Sequence, residues 1–124
     1  MKIRKMLLVT SMLLLASPAI GQHVHQKGPN GGPMEDVAGV HIEMVTSGRT
    51  LTFNVFDETN KPIPTKGFSG SVLLTTGGAR ETVSLVATDN ALKAEAKNEI
   101  AKGATVSVTL KAADGKSGQA KFKH

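Results

Sequence analysis

The chain has 124 residues, with four Phe, no Trp, Tyr or Cys, and 15 Lys and Arg against 10 Asp and Glu. Without cysteine there is neither a disulfide nor a thiolate metal site, which suits an exported bacterial protein better than a small eukaryotic secreted domain. Three of the fifteen basic residues and none of the acidic ones fall in residues 1–21, so the rest holds twelve against ten; that small excess, with no aromatic interleaving, excludes a nucleic-acid binder.

The opening residues read as an export signal. Lys2, Arg4 and Lys5 form a positive start, Met6 to Ile20 is almost wholly apolar, and small residues follow at Ala16, Ser17, Ala19 and Gly21. An apolar run of about 15 residues is short of the roughly 20 that cross a bilayer, so cleavage is expected and an uncleaved anchor is the alternative. The cut falls after Ala19 or after Gly21. Residues 1–21 are therefore assigned as signal peptide. The remainder is expected in the periplasm, with no membrane association after cleavage.

Residues 22–39 are a different kind of segment. Five of the six residues 28–33 are Gly or Pro, interrupted only by Asn30. Such a stretch cannot be helix and is a poor strand, so it reads as a flexible, irregular leader. It begins with His23-Val24-His25.

From Val40 to His124 apolar and polar residues alternate with period two, and turn signals recur every 8–15 residues. That pattern predicts an all-β domain. Val40, Ile42 and Met44 share a face, and Leu51, Phe53 and Val55 share another. A two-residue Ser47-Gly48 loop pairs Met44 with Leu51 and turns all six apolar residues to one side. Val72 and Leu74 match Val83 and Leu85 across Gly77-Gly78-Ala79. Leu92, Ala94 and Ala96 form a shorter strand, although Lys93 to Lys102 also suits a short helix. Val106, Val108 and Leu110 match Ala120 and Phe122 across Asp114-Gly115-Lys116. Asp57 to Gly67, with Pro62 and Pro64, is a connection. About seven strands in 85 residues fit a single immunoglobulin-like or related Greek-key sandwich over 40–124.

Few residues carry chemistry. There is no Gly-x-Ser-x-Gly, no partnered nucleophile, no phosphate-cradling loop and no His-Glu-x-x-His, so an enzyme is not expected. His23 and His25 lie on the same side of an extended backbone, about 7 Å apart at the α-carbons, and imidazole suits Cu, Zn and Ni. Two solvated histidines on a mobile arm are the plain alternative. His41 sits between core-facing Val40 and Ile42, so it projects outward, where it is either a third ligand met by the folded-back arm or an exposed histidine opposite Asn54. Glu43, also outward, is a fourth ligand or a solubilising charge. Met44 points inward to the core. Met34, in the irregular leader with no evident packing role, is the better thioether ligand for copper. A mature start at Gly21 would let the free amine and His23 bind Cu(II), but a cut after Ile20 is a poor peptidase site.

Gly28-Pro29-Asn30-Gly31-Gly32, Glu35-Asp36, His41-Ile42-Glu43-Met44, Phe53-Asn54-Val55-Phe56-Asp57 and Asn60-Lys61-Pro62 together carry a resemblance. The segment resembles the amino-terminal domain of periplasmic adaptor subunits of heavy-metal efflux pumps of the resistance-nodulation-division type, and small periplasmic proteins with the same segment. The resemblance covers about residues 28–62 and implies a periplasmic, metal-associated β-domain. The long hairpin and barrel of a complete adaptor are lacking, so the chain is not expected to bridge a pump and an outer-membrane channel. These readings together point to a small soluble metal-binding protein, with copper first and Zn or Ni as alternatives. His23, His25, His41 and Met34 are its expected ligands, and a periplasmic efflux component is the expected recipient. The competing reading is a structural module that docks on an envelope protein.

Overall fold

Alternating apolar and polar residues give each strand one face to bury, and the chain satisfies that need by stacking two antiparallel sheets on a common core. The computed structural model describes residues 27–124, and His23, His25 and the expected signal segment lie outside them. Among the described residues there are nine strands and no helix: β1 (Met34–Val37), β2 (Val40–Ser47), β3 (Thr50–Phe56), β4 (Ser69–Thr76), β5 (Ala79–Ser84), β6 (Val86–Thr88), β7 (Ala91–Glu95), β8 (Thr105–Lys111) and β9 (Ser117–Lys123). One sheet has the order β1-β2-β3-β7-β6 and the other β5-β4-β8-β9. The fold is all-β and sandwich-like.

Between the sheets lie Ile42, Leu51, Phe53, Val55, Val72, Leu92, Val106 and Leu110, all essentially inaccessible to solvent. Phe53 of β3 meets Phe122 of β9 with ring centroids 5.8 Å apart, a tilted contact that joins the two layers. Met44 is buried in this core as expected.

The parity expected of β2 and β3 is right and their register is two residues off. Met44 stands opposite Phe53 and Ile42 opposite Val55, because the turn is Gly48-Arg49 rather than Ser47-Gly48. Gly48 has φ +57 at the first central position, where a type II′ hairpin turn wants glycine. A shift of two residues leaves every side chain on its expected face. Between β4 and β5 the turn is the two-residue Gly77-Gly78 rather than the expected Gly77-Gly78-Ala79, so Val72 stands opposite Val83 and Leu74 opposite Glu81, with Val72, Leu74 and Val83 still on the inner face. Val106 pairs with Phe122 and Val108 with Ala120, with the three-residue loop one position earlier, at 113–115. The helix alternative for Lys93 to Lys102 is not what forms: Leu92 and Ala94 need to face the core two residues apart, and a strand provides that spacing.

Two strands exceed the seven expected. β6 is short and exposed along its length. β1 lies inside the segment read as irregular leader, so the ordered fold begins before Val40. Its residues pair with β2 through the turn Ala38-Gly39, and Val37 is buried in the core cluster. Pairing with an existing strand supplies the hydrogen bonds that four residues of weak β-propensity do not secure alone.

Candidate functional site

The outer face of β1, β2 and β3 holds every described residue that the sequence reading singled out for ligation. Odd-numbered residues of β2 and even-numbered residues of β1 and β3 share this face. Register sets them in rows: Asp36, His41 and Phe56 in one, and Met34, Glu43 and Asn54 in the next. Directly opposed side chains in such rows have β-carbons about 4.5–5.5 Å apart. Met34 and His41 are therefore diagonal neighbours, about 7–8 Å apart.

His41 is partly exposed, with 28 % of its side-chain surface accessible, and its Nδ1 is in contact with the Asp36 carboxylate Oδ1. A carboxylate on Nδ1 selects the tautomer whose proton sits there, which leaves the Nε2 lone pair outward. His41 lies opposite Phe56, not Asn54 as expected, because of the two-residue register shift. Phe56 is buried but belongs to no part of the inter-sheet core; it closes this outer face beside His41.

Glu43 overturns both readings made of it. It is fully buried, so it is no solubilising charge. Its Oε2 accepts hydrogen bonds from the backbone N–H of Asn30 at 2.8 Å and of Gly32 at 3.0 Å. Its Oε1 accepts from Nδ2 of Asn30 at 2.8 Å and from Nδ2 of Asn54 at 3.3 Å. A carboxylate occupied by four donors has no lone pair to spare for an ion. Burial pushes its pKa up, but the hydrogen bonds from Asn30, Gly32 and Asn54 outweigh this and hold it below the usual 4.5.

The lid over Glu43 is the Gly/Pro segment itself. Residues 28–32 close a tight loop, with Gly28 N–H donating to Gly32 O at 2.7 Å and Gly31 N–H to Gly28 O at 2.9 Å. A β-carbon on Gly28 would collide with the Glu43 carboxyl, and one on Gly32 with the backbone carbonyl of Met44. Glycine is required at both because the loop lies flat on the sheet. Residues 28–32 of the expected flexible leader are therefore an anchored loop. Lys27 forms an isolated antiparallel bridge with Pro33, the residue before Met34. Met34 itself, half-buried in β1, has a defined place where no packing role was expected.

Two hollows lie elsewhere. One of about 570 Å³ runs between β5 and residues 96–101, where Glu81 Oε1 accepts from the Lys97 N–H at 2.8 Å. The other, about 330 Å³, lies between the 30–33 loop and His124, whose Nδ1 is 3.2 Å from Thr46 Oγ1. Among the described residues no three His, Asp or Glu side chains converge on a point that suits an ion. The described part of the expected ligand set is thus His41 with Met34; His23 and His25 lie outside the described residues. Asp36 was missed by the sequence reading, although a two-residue turn at Ala38-Gly39 would have set it opposite His41.

Compared with known proteins, the chain matches no family model, no curated protein and no solved structure.

Proposed function

We propose that this is a small exported metal-binding protein, acting in the periplasm to buffer a transition metal or to pass it to an efflux system. Copper is the first choice of ion, with zinc and nickel as alternatives. His41 Nε2, the Met34 thioether and the imidazoles of His23 and His25 form the ligand set, a nitrogen-rich site with one soft donor that fits copper. The two sheets are read as an immunoglobulin-like, Greek-key sandwich. β7 supports this, since it returns past three intervening strands to pair with β3.

The observation that carries the reading is the Asp36–His41 pair. Histidines that ligate metals usually give their other ring N–H to a carboxylate, which fixes the ring and raises the basicity of the ligating nitrogen. Chain length favours the arm. His25 is two residues and His23 four residues from Lys27, spans of at most about 7 and 14 Å. From Pro33, the partner of Lys27, to Asp36 is about 10 Å along β1. A site closed only when a tethered arm arrives can also release its ion readily, as transfer requires.

Calorimetric titration of the untagged, processed chain with Cu(I), Cu(II), Zn(II) and Ni(II) tests this. Replacing His41 by Ala, or His23 and His25 together, is expected to weaken binding about tenfold or more, the range seen when a ligand or its support is lost. An unchanged affinity in His41→Ala would confine binding to the arm. A chain that binds no ion points instead to the docking module, with incidental histidines.

A further inference from the structure

The outer face of the second sheet has a composition that the proposed metal function does not use. Register places fifteen side chains on it in four rows that run across β5, β4, β8 and β9. Arg80 stands on one edge strand, Lys121 and Lys123 on the other, and Lys111 at the far end of β8. The remaining positions are Ser and Thr, apart from Leu73 and Gln119. No Asp or Glu occupies any of the fifteen, and none of the fifteen is buried. The chain beyond residue 21 carries only two more basic than acidic residues, so this face is far more positive than the rest of the molecule. The opposite outer face is its electrical counterpart: Asp36, Glu43 and Glu95 lie there against Lys93.

From these observations we infer that the β5-β4-β8-β9 face docks on an anionic phospholipid surface. Four strands about 4.8 Å apart and rows about 6.8 Å apart make a plane of about 14 by 20 Å. Its cations stand around the margin and its centre carries Leu73 among the short hydroxyl side chains of Ser71, Ser107 and Thr109, a shape suited to a flat array of phosphates. A linear polyanion would instead call for a cationic stripe or groove. Each Lys or Arg close to an anionic membrane favours partitioning by about fivefold, so four give a weak, reversible attachment of several hundredfold at low salt. The attachment weakens as the Debye length shrinks to about 8 Å at physiological ionic strength. Attachment by charge needs no apolar span, so it departs from the expectation of no membrane association after cleavage without requiring a membrane-crossing segment. Docking in this pose turns the His41 face away from the lipid and toward the aqueous phase.

Co-sedimentation of the processed chain with vesicles tests the inference. Vesicles of phosphatidylcholine with half phosphatidylglycerol are compared with pure phosphatidylcholine at 20 and 200 mM salt. Binding is expected only to the anionic vesicles, weakening at least tenfold at the higher salt. The variant with Arg80, Lys111, Lys121 and Lys123 all changed to Gln is expected to lose at least tenfold in binding. A control with Arg49, Lys61, Lys66 and Lys93 changed to Gln has the same net charge and is expected to lose less than threefold. Equal losses in the two variants would overturn the inference, because attraction would then be a property of net charge. So would no binding to anionic vesicles at 20 mM salt, including the case in which the chain is retained only by a soluble polyanion such as heparin. The metal titration is independent of these outcomes, since none of the eight residues is a proposed ligand.

Discussion

Glu43 is a carboxylate taken out of water and kept ionised by four donors, three of them supplied by the loop that covers it. Removing the acceptor strands those donors under the loop, and a stranded buried polar group costs about 1–3 kcal/mol. Glu43→Ala is therefore expected to lose about 3 kcal/mol, or about 10–20 °C in Tm for a domain of this size, as thermal unfolding by circular dichroism would read. Because the folded pKa is lowered, the unfolded chain binds the extra proton as pH falls. The stabilisation is fully present above the unfolded value of 4.5 and drains away below it, toward the lower folded pKa. In Glu43→Gln, Tm is expected to fall less steeply between pH 5 and 3 than in the parent. A parallel fall would show that Glu43 is not ionised in the fold. Alternation showed the face on which Glu43 lies but not its burial. Period-two patterning separates the two sides of a strand; it does not reveal that a glycine loop will be laid across one of them.

At the scale of elements, β1 and its turn decide where the fold begins. Val37 pairs with Val40 across Ala38 and Gly39, both with positive φ (53 and 81), the arrangement of a type I′ hairpin that favours Asn-Gly. Alanine in the left-handed region costs about 1–2 kcal/mol. Ala38→Asn is expected to stabilise the protein by about 0.5–1 kcal/mol, seen as a higher denaturant midpoint with an unchanged slope. A loss of stability would mean that the Ala38 methyl group, packed against the core cluster, outweighs the relief of strain. The same turn explains why β1 was not legible. Ala-Gly is a weaker hairpin signal than Asn-Gly, and Met34-Glu35-Asp36-Val37 shows no regular alternation. The strands from Val40 onward were legible because their alternation is long and regular. Between β2 and β3 the register slipped by two residues, since glycine takes the first central turn position rather than the second. That slip hid the row in which Asp36, His41 and Phe56 stand together.

Over the whole molecule, the two sheets bury a common core of small aliphatics and turn chemically opposite outer faces to the surroundings. One carries His41 beside a carboxylate, with Met34 diagonal to it; the other carries four cations among hydroxyls and no acid. The proposed metal capture and the proposed attachment lie on opposite faces, so the His41→Ala and four-Gln variants are each expected to weaken one about tenfold or more and spare the other. The central claim is that His41 closes a site with the arm histidines through Nε2, its Nδ1 proton held by Asp36. Long-range proton–nitrogen NMR of the imidazoles during Zn(II) titration tests it most directly. His41 Nε2 is expected to shift on metal binding together with the ring nitrogens of His23 and His25, while Nδ1 keeps its proton. The claim is contradicted if the arm histidines shift and His41 does not, or if the metal takes Nδ1 and displaces Asp36.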